Sequence, residues 1–182
     1  TNEDALIIQL NVARLREKRG EEIIGYKIGC VSKDTQKKMG FTQPAYGYLW
    51  KSELYKSGIT LNKEDYTNPA MEAEFGIILN RDIKIELASI KYILESIEGI
   101  YPLIEIHNLV FYGDEPHGAE LLANNAIHAG VVLGQETKLP LDKIKTDLRL
   151  IYNKEVIDIW INKTWPNDML SEIEWLIKEQ AK

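Results

Sequence analysis

Residues 69–79, PAMEAEFGIIL, place Glu72 and Glu74 two positions apart in a run that is otherwise apolar. Side chains two apart on a strand project to the same side. Burying one unpaired carboxylate is costly, and a second of the same sign raises the cost. Either the face is open to water or a positive group sits against it. A third acid has a similar setting: YPLIEIHNLVF holds Glu105 between Ile104 and Ile106, with His107 on the same face. Three glutamates on two apolar strands could form an oxygen-rich pocket for a hard divalent cation, Mg²⁺ or Mn²⁺. Such an ion would supply the positive charge. Alternating Glu and apolar residues also describe an ordinary strand with one solvated face, and the spacing alone decides for neither reading.

Lys27 lies in IIGYKIG, an apolar strand whose glycines permit close backbone approach. Its stem can lie along apolar surface while the ammonium reaches water. Alternatively it presents a fixed charge to an anionic substrate. Of the three histidines, His117 falls in the turn DEPHG, His107 shares a face with Glu105, and His128 ends a short helix. They lack zinc-type spacing.

The elements that must position these residues are readable from periodicity and punctuation. Residues 4–19 read as a helix, with Leu6, Ile8, Val12 and Leu15 as an apolar stripe and Gly20 at the stop. EIIGYKIGCV reads as a strand, SKDTQKKMG as a short helix capped by Ser32 or Asp34, and FTQPAYGYLW as a loop around Pro44 and Gly47. The strand of Glu72 and Glu74 follows. Residues 86–98 carry Ile90, Ile93, Leu94 and Ile97 on one helical face, with Gly99 after them. YPLIEIHNLVF is the next strand and AELLANNAI a short helix. AGVVLG and LRLIYN are further strands, with a hairpin turn at Asn153–Glu155, and residues 168–181 form an amphipathic tail helix. Strands and helices mix without regular βαβ alternation, which is an α+β pattern.

The chain has 182 residues, 45% of them hydrophobic and 27% charged, which suits one domain over 1–182 with its own core. A net charge of −6 without a basic stripe argues against a nucleic-acid partner. The single Cys30 excludes an internal disulfide and fits a reducing compartment. No apolar run reaches membrane-spanning length and the start does not resemble a secretory signal, so a cytoplasmic location and no membrane partner are expected. The sequence opens on Thr1 rather than Met, as a processed or trimmed start would.

Taken in order, GYKIGCVSKDTQKKMGFTQPAYGYL, PAMEAEFGIILNRDI, PLIEIHNL and LLANNAIHAGVVLG resemble the fumarylacetoacetate hydrolase superfamily. Within it they are most similar to the branch of 2-hydroxypenta-2,4-dienoate (2-keto-4-pentenoate) hydratases and 4-oxalocrotonate decarboxylases, over roughly residues 5–180. The resemblance implies a mixed β-sandwich roll of that superfamily's C-terminal-domain type with an N-terminal helix, assembled as a homo-oligomer. It places Glu72, Glu74 and Glu105 where the family holds Mg²⁺ or Mn²⁺, and Lys27 near the substrate carboxylate. The implied substrate is a small 2-oxo or 2-hydroxydienoic acid, chelated through a carboxylate and the neighbouring carbonyl oxygen. Metal stabilisation of the enolate would then serve hydration or decarboxylation, and C–C hydrolysis of an acylpyruvate is the related alternative.

Some positions depart from the family pattern. Ala45 stands where many members carry an acid after the proline of TQPAYG, and it cannot transfer a proton. Ile127 and His128 replace two serines, and Asn108 and Val110 replace an aspartate and an arginine. The chain also ends after its tail helix, where the family continues into a Gly-Ser-rich strand segment that helps close the site. These departures leave two expectations: His107 or His128 serves as a substitute acid/base, or the chain is a catalytically degenerate homologue that pairs with a paralogous subunit.

Overall fold

The computed structural model describes residues 1–113, 116, 118–135, 144–165 and 167–181, with the backbone alone for 144–146, 162–165, 167 and 168. The turn expected at DEPHG, with His117, lies outside the described residues. In chain order the elements are α1 (Asn2–Lys18), β1 (Ile23–Gly29), α2 (Lys33–Lys38), β2 (Ala45–Trp50), β3 (Leu54–Lys56) and β4 (Pro69–Leu79). Then follow α3 (Ile90–Glu95), β5 (Ile97–Asn108), α4 (Ala119–Ala123), β6 (His128–Leu133), β7 (Ile144–Tyr152), β8 (Glu155–Trp165) and α5 (Asn167–Gln180). β1 pairs with β2, β7 with β8, and four strands form a sheet in the order β3-β6-β5-β4. This is an α+β fold.

The chain divides into two compact units, one of Thr1–Met71 with Glu105–Val132 and one of Glu72–Ile104 with Leu133–Lys182. In the first, α1 starts at a capping box in which the Thr1 side chain accepts from the Asp4 amide. Its buried residues are Ala5, Gln9 and Ala13, four apart on one face. Gln9 Nε2 donates to the carbonyls of Tyr46 and Leu122, which fixes α1 to β2 and α4. Of the stripe read from sequence, Leu6 packs against the core while Ile8, Val12 and Leu15 are exposed. Small residues won the packing face because they let the helix approach closely, and a satisfied glutamine can be buried among them. The core beneath gathers Ala5, Phe41, Ala45, Leu121, Leu122 and Ala126.

The segment expected to be a loop, FTQPAYGYLW, contains β2 from Ala45 onward, antiparallel to β1 with Lys27 opposite Gly47. Its alternating Tyr46, Tyr48 and Trp50 are strand formers, and the neighbouring Tyr26 ring lies 5.5 Å from Tyr48. Pro44 and Gly47 pointed to a turn, but only the residues before Ala45 make one.

In the second unit the helix expected over 86–98 is only α3, six residues long. Ser89, extended at its N-cap, accepts from the Tyr92 amide and blocks helix upstream. Ile97 to Ile100 join β5, where Gly99 and Ile100 are buried, so strand pairing overrides a helical pattern. Ile93 is 0% exposed, and Ile93→Ala is expected to cost about 2–5 kcal/mol through the cavity it leaves. A shift of the urea unfolding midpoint at unchanged slope measures it. The β7–β8 hairpin turns at Asn153 and Lys154, both at positive φ (49° and 72°), as a two-residue hairpin requires. Within α5, Leu170 is buried, as the tail pattern required.

Candidate active site

Four ionisable side chains from three strands of the first unit converge in its interior. β5 carries Glu105 and His107 two apart on one side, both buried. β1 contributes Lys27, and β6 opens with His128, whose side chain is 1% exposed. Lys27 Nζ lies 2.6 Å from Glu105 Oε1, and His128 Nδ1 lies 2.7 Å from the same oxygen. The other oxygen, Oε2, faces His107 Nε2 at 3.2 Å. Lys27 Nζ also approaches His107 Nε2 at 3.2 Å and donates to the Ala126 carbonyl at 3.1 Å.

Glu105 is therefore neutralised by a lysine in this state. Burial pushes its carboxyl up, but the Lys27 ammonium and the hydrogen bonds from His107 and His128 outweigh that. The net effect holds the group well below the ordinary carboxylate range. Because the folded value is depressed, the stabilisation is fully present above about pH 4.3, the ordinary glutamate value, and is lost as pH falls through the folded one. Glu105→Gln should therefore flatten the acid limb of melting temperature against pH relative to wild type. An unchanged limb would show that Glu105 is not depressed.

Oε2 and Nε2 keep a different capacity. Their 3.2 Å separation is close to the edge of an octahedron with bonds of about 2.1 Å, which is about 3 Å. A carboxylate oxygen beside an imidazole nitrogen is a donor pair that suits a divalent cation, and Oε1 stays engaged by Lys27 and His128 meanwhile.

Glu72 and Glu74 both sit on the exposed side of β4, with Ala73 between them buried on the other. Of the two solutions to the paired acids, water access is met by their exposure. For Glu105 it is a charge that answers, and the charge is a lysine. Ala45 is 1% exposed within the apolar core, so the position has become a packing position. Asn108 Oδ1 accepts from the amides of Thr67 and Asn68, tying the end of β5 to the entry of β4.

Reasoning on sequence missed Glu53 and Arg16. Glu53 Oε1 is bonded to Arg16 at 2.6 Å, and its Oε2 is buried 3.8 Å from His128 Nε2, without a hydrogen-bond partner among the described residues. Arg16 in turn lies over the Trp50 ring, 4.1 Å from its centroid. No signal in a short KSE segment marks that glutamate. A cleft of about 470 Å³ borders this side and is lined by Gln9, Arg16, Trp50, Phe111, Asn124 and His128. Neither Lys27 nor Glu105 lines it, so His128 stands between the cleft and the lysine-glutamate pair.

A buried lysine, a glutamate and two histidines held at hydrogen-bond distances define a small-molecule site able to manage an anion and a proton, with donors for a metal alongside. No family model matches the chain. It is 31% identical over 138 residues to a 2-hydroxyhexa-2,4-dienoate hydratase of Comamonas testosteroni, covering 75% of this chain and 52% of the relative. It is 28% identical to a 2-keto-4-pentenoate hydratase of Burkholderia vietnamiensis, covering 92% and 65% respectively. Its fold superposes on 4-oxalocrotonate decarboxylase from Pseudomonas putida G7, complexed with magnesium and adipate, with a TM-score of 0.80. That match has 19% identity and covers 100% of this chain and 71% of the other. In sequence the chain is thus similar to hydratases of 2-hydroxydienoic and 2-keto-4-pentenoic acids, and in fold to 4-oxalocrotonate decarboxylase. It spans between about half and two thirds of the length of the two hydratases.

Proposed function

We propose that this chain carries the site of a divalent-metal-dependent lyase, a hydratase or decarboxylase, acting on a small 2-oxo or 2-hydroxydienoic acid. The observation that carries the reading is the Lys27–Glu105 pair, buried and flanked by two histidines. The names of the curated relatives and the magnesium in the decarboxylase structure support it. Glu105 and His107 are proposed as ligands of Mg²⁺ or Mn²⁺, and the resemblance adds Glu72 and Glu74 as further acids. A bound divalent ion would supply Lewis-acid stabilisation of negative charge on the carbonyl oxygen of the acid.

The chain's own residues do the rest. Lys27 offers a fixed positive charge, oriented by the Glu105 carboxylate and the Ala126 carbonyl, that can attract and align a carboxylate. Glu105 keeps that lysine in place. His107 and His128 are the side chains whose ring nitrogens can hold or pass a proton, a role that Ala45 has no group to fill.

Ala45 in the apolar core specifically favours a second reading, a homologue that keeps the metal and has lost turnover. Turnover of a 2-hydroxydienoate or of 4-oxalocrotonate by the purified chain with added Mg²⁺, well above background, is expected and would exclude that reading. The same assay on an acylpyruvate tells C–C hydrolysis from hydration. Millimolar Mn²⁺ should raise the melting temperature relative to EDTA, because a ligand that binds the native state stabilises it. No shift would remove the metal from the proposal.

Assembly into a homo-oligomer, or with a paralogous subunit, belongs to the same reading. Support comes from exposed apolar side chains that an assembly would cover: Ile7, Ile8 and Leu15 on α1, and Ile151, Ile157 and Ile161 on the β7–β8 hairpin. No helix among the described residues is long and apolar enough to cross a membrane. A cytoplasmic setting is in keeping with this chemistry.

A further inference from the structure

Immediately before His128, three consecutive non-glycine residues adopt left-handed backbone: Asn125, Ala126 and Ile127 have φ of 52°, 51° and 56°. L-residues other than asparagine or aspartate rarely enter this region, and they do so singly, because Cβ crowds the following carbonyl. Three in a row relax unless something holds them. Strain of this kind persists where surrounding contacts over-determine it, and it concentrates at functional sites.

The holding contacts are specific. Asn125 Oδ1 accepts from the Tyr48 amide at 2.7 Å, and Asn125 Nδ2 donates to the Tyr48 carbonyl at 2.9 Å. One side chain thereby takes both backbone groups of one β2 residue, as a neighbouring strand would. The turn lies directly on β2 at Gly47, where a Cβ would meet the Asn125 carbonyl oxygen at 2.8 Å. Gly47 is in turn the β-ladder partner of Lys27. The next carbonyl along the turn, that of Ala126, receives the Lys27 ammonium at 3.1 Å.

We propose that Asn125 is a positioning residue for Lys27: by clamping Tyr48 it fixes the strained turn that aims the Ala126 carbonyl at the ammonium. This deepens the lyase reading and rests on it for its catalytic meaning. The carbonyl matters because Glu105 alone leaves the ammonium free to swing about the carboxylate. A second acceptor that is neutral and immobile sets its direction. Asn125 touches no reacting atom in this scheme; it acts through Ala126.

The test reads Lys27 itself. In protein labelled with ε-¹³C-lysine, the Lys27 signal is assigned by its absence in Lys27→Arg. Wild type should show it away from the cluster of exposed lysines. Asn125→Ala should move it towards that cluster, with the circular dichroism spectrum and a cooperative melt retained. Asn125→Gly separates strain from clamping, since glycine enters left-handed backbone freely but has no amide. If the clamp is what positions Lys27, this variant behaves like Asn125→Ala, and it also provides the reading should Asn125→Ala fail to fold. A Lys27 signal unmoved in either folded variant would overturn the proposal. So would the collapse of both, which would make Asn125 a general structural tie. Where wild type turns over, kcat should fall roughly tenfold in both variants with KM changed little, the pattern of lost transition-state orientation. The Lys27 signal needs no turnover, so an inactive wild type would refute the lyase reading while leaving this test intact.

Discussion

Lys27→Met is expected to destabilise the protein by about 3–5 kcal/mol at neutral pH, the usual cost of removing one partner from a buried ion pair. The side chains of Lys27 and Glu105 are 11% and 7% exposed, so water cannot screen what is left. The deficit has a pH signature. Without the ammonium, burial is opposed only by His107 and His128, so the Glu105 carboxyl moves up from its depressed value. The loss relative to wild type is then greatest above the ordinary glutamate value and shrinks on acidification, as the carboxylate takes up a proton in both proteins. Adding Glu105→Gln to Lys27→Met should restore much of the loss, because the orphaned charge is gone. Urea unfolding of the two single variants and the double at neutral and mildly acidic pH measures this. Additive losses would show that the two side chains are not coupled, and the assigned pair would fail.

Glu105→Gln alone carries the largest expected effect on function. It removes an anionic donor from the proposed metal set and releases Lys27 from its strongest partner, two losses from one change. Disturbing residues that merely support metal ligands typically costs 10–100-fold in affinity, so losing a ligand should weaken Mn²⁺ binding by at least on the order of a hundredfold. Turnover should become undetectable. Calorimetric titration with Mn²⁺ follows the first and the hydratase assay the second. Full activity in Glu105→Gln, or in Glu72→Gln, would refute the metal assignment.

These expectations differ in what they owe to sequence. Glu105 and His107 were legible as a pair because strand periodicity alone puts residues two apart on one side. Lys27 was legible as an oddity, a cation in an apolar strand, yet both a solvated and a functional reading remained open. The structure removes the solvated reading, since the side chain is 11% exposed and its ammonium lies 2.6 Å from Glu105. Asn125 left a faint trace, an Asn-Asn dipeptide where left-handed backbone is tolerated. The Ala126 carbonyl left none, because every residue has one.

Sequence by itself determined the resemblance, the α+β character, the short helix capped by Ser32, the hairpin turn at Asn153–Glu155 and the amphipathic tail. All of these follow from local periodicity and turn chemistry, which act over a few residues. Tertiary structure decided the rest. It turned α1 to bury Ala5, Gln9 and Ala13 in place of its larger residues, cut the α3 helix to six residues, and made a strand of the aromatic segment after Pro44. It alone brought Glu53 and Arg16 to His128, and it alone gave Glu105 a lysine for its counter-charge. The reason is one of range. Helix faces, strand ends and buried ion pairs are settled by partners dozens of residues away, and no local pattern records which distant group will arrive.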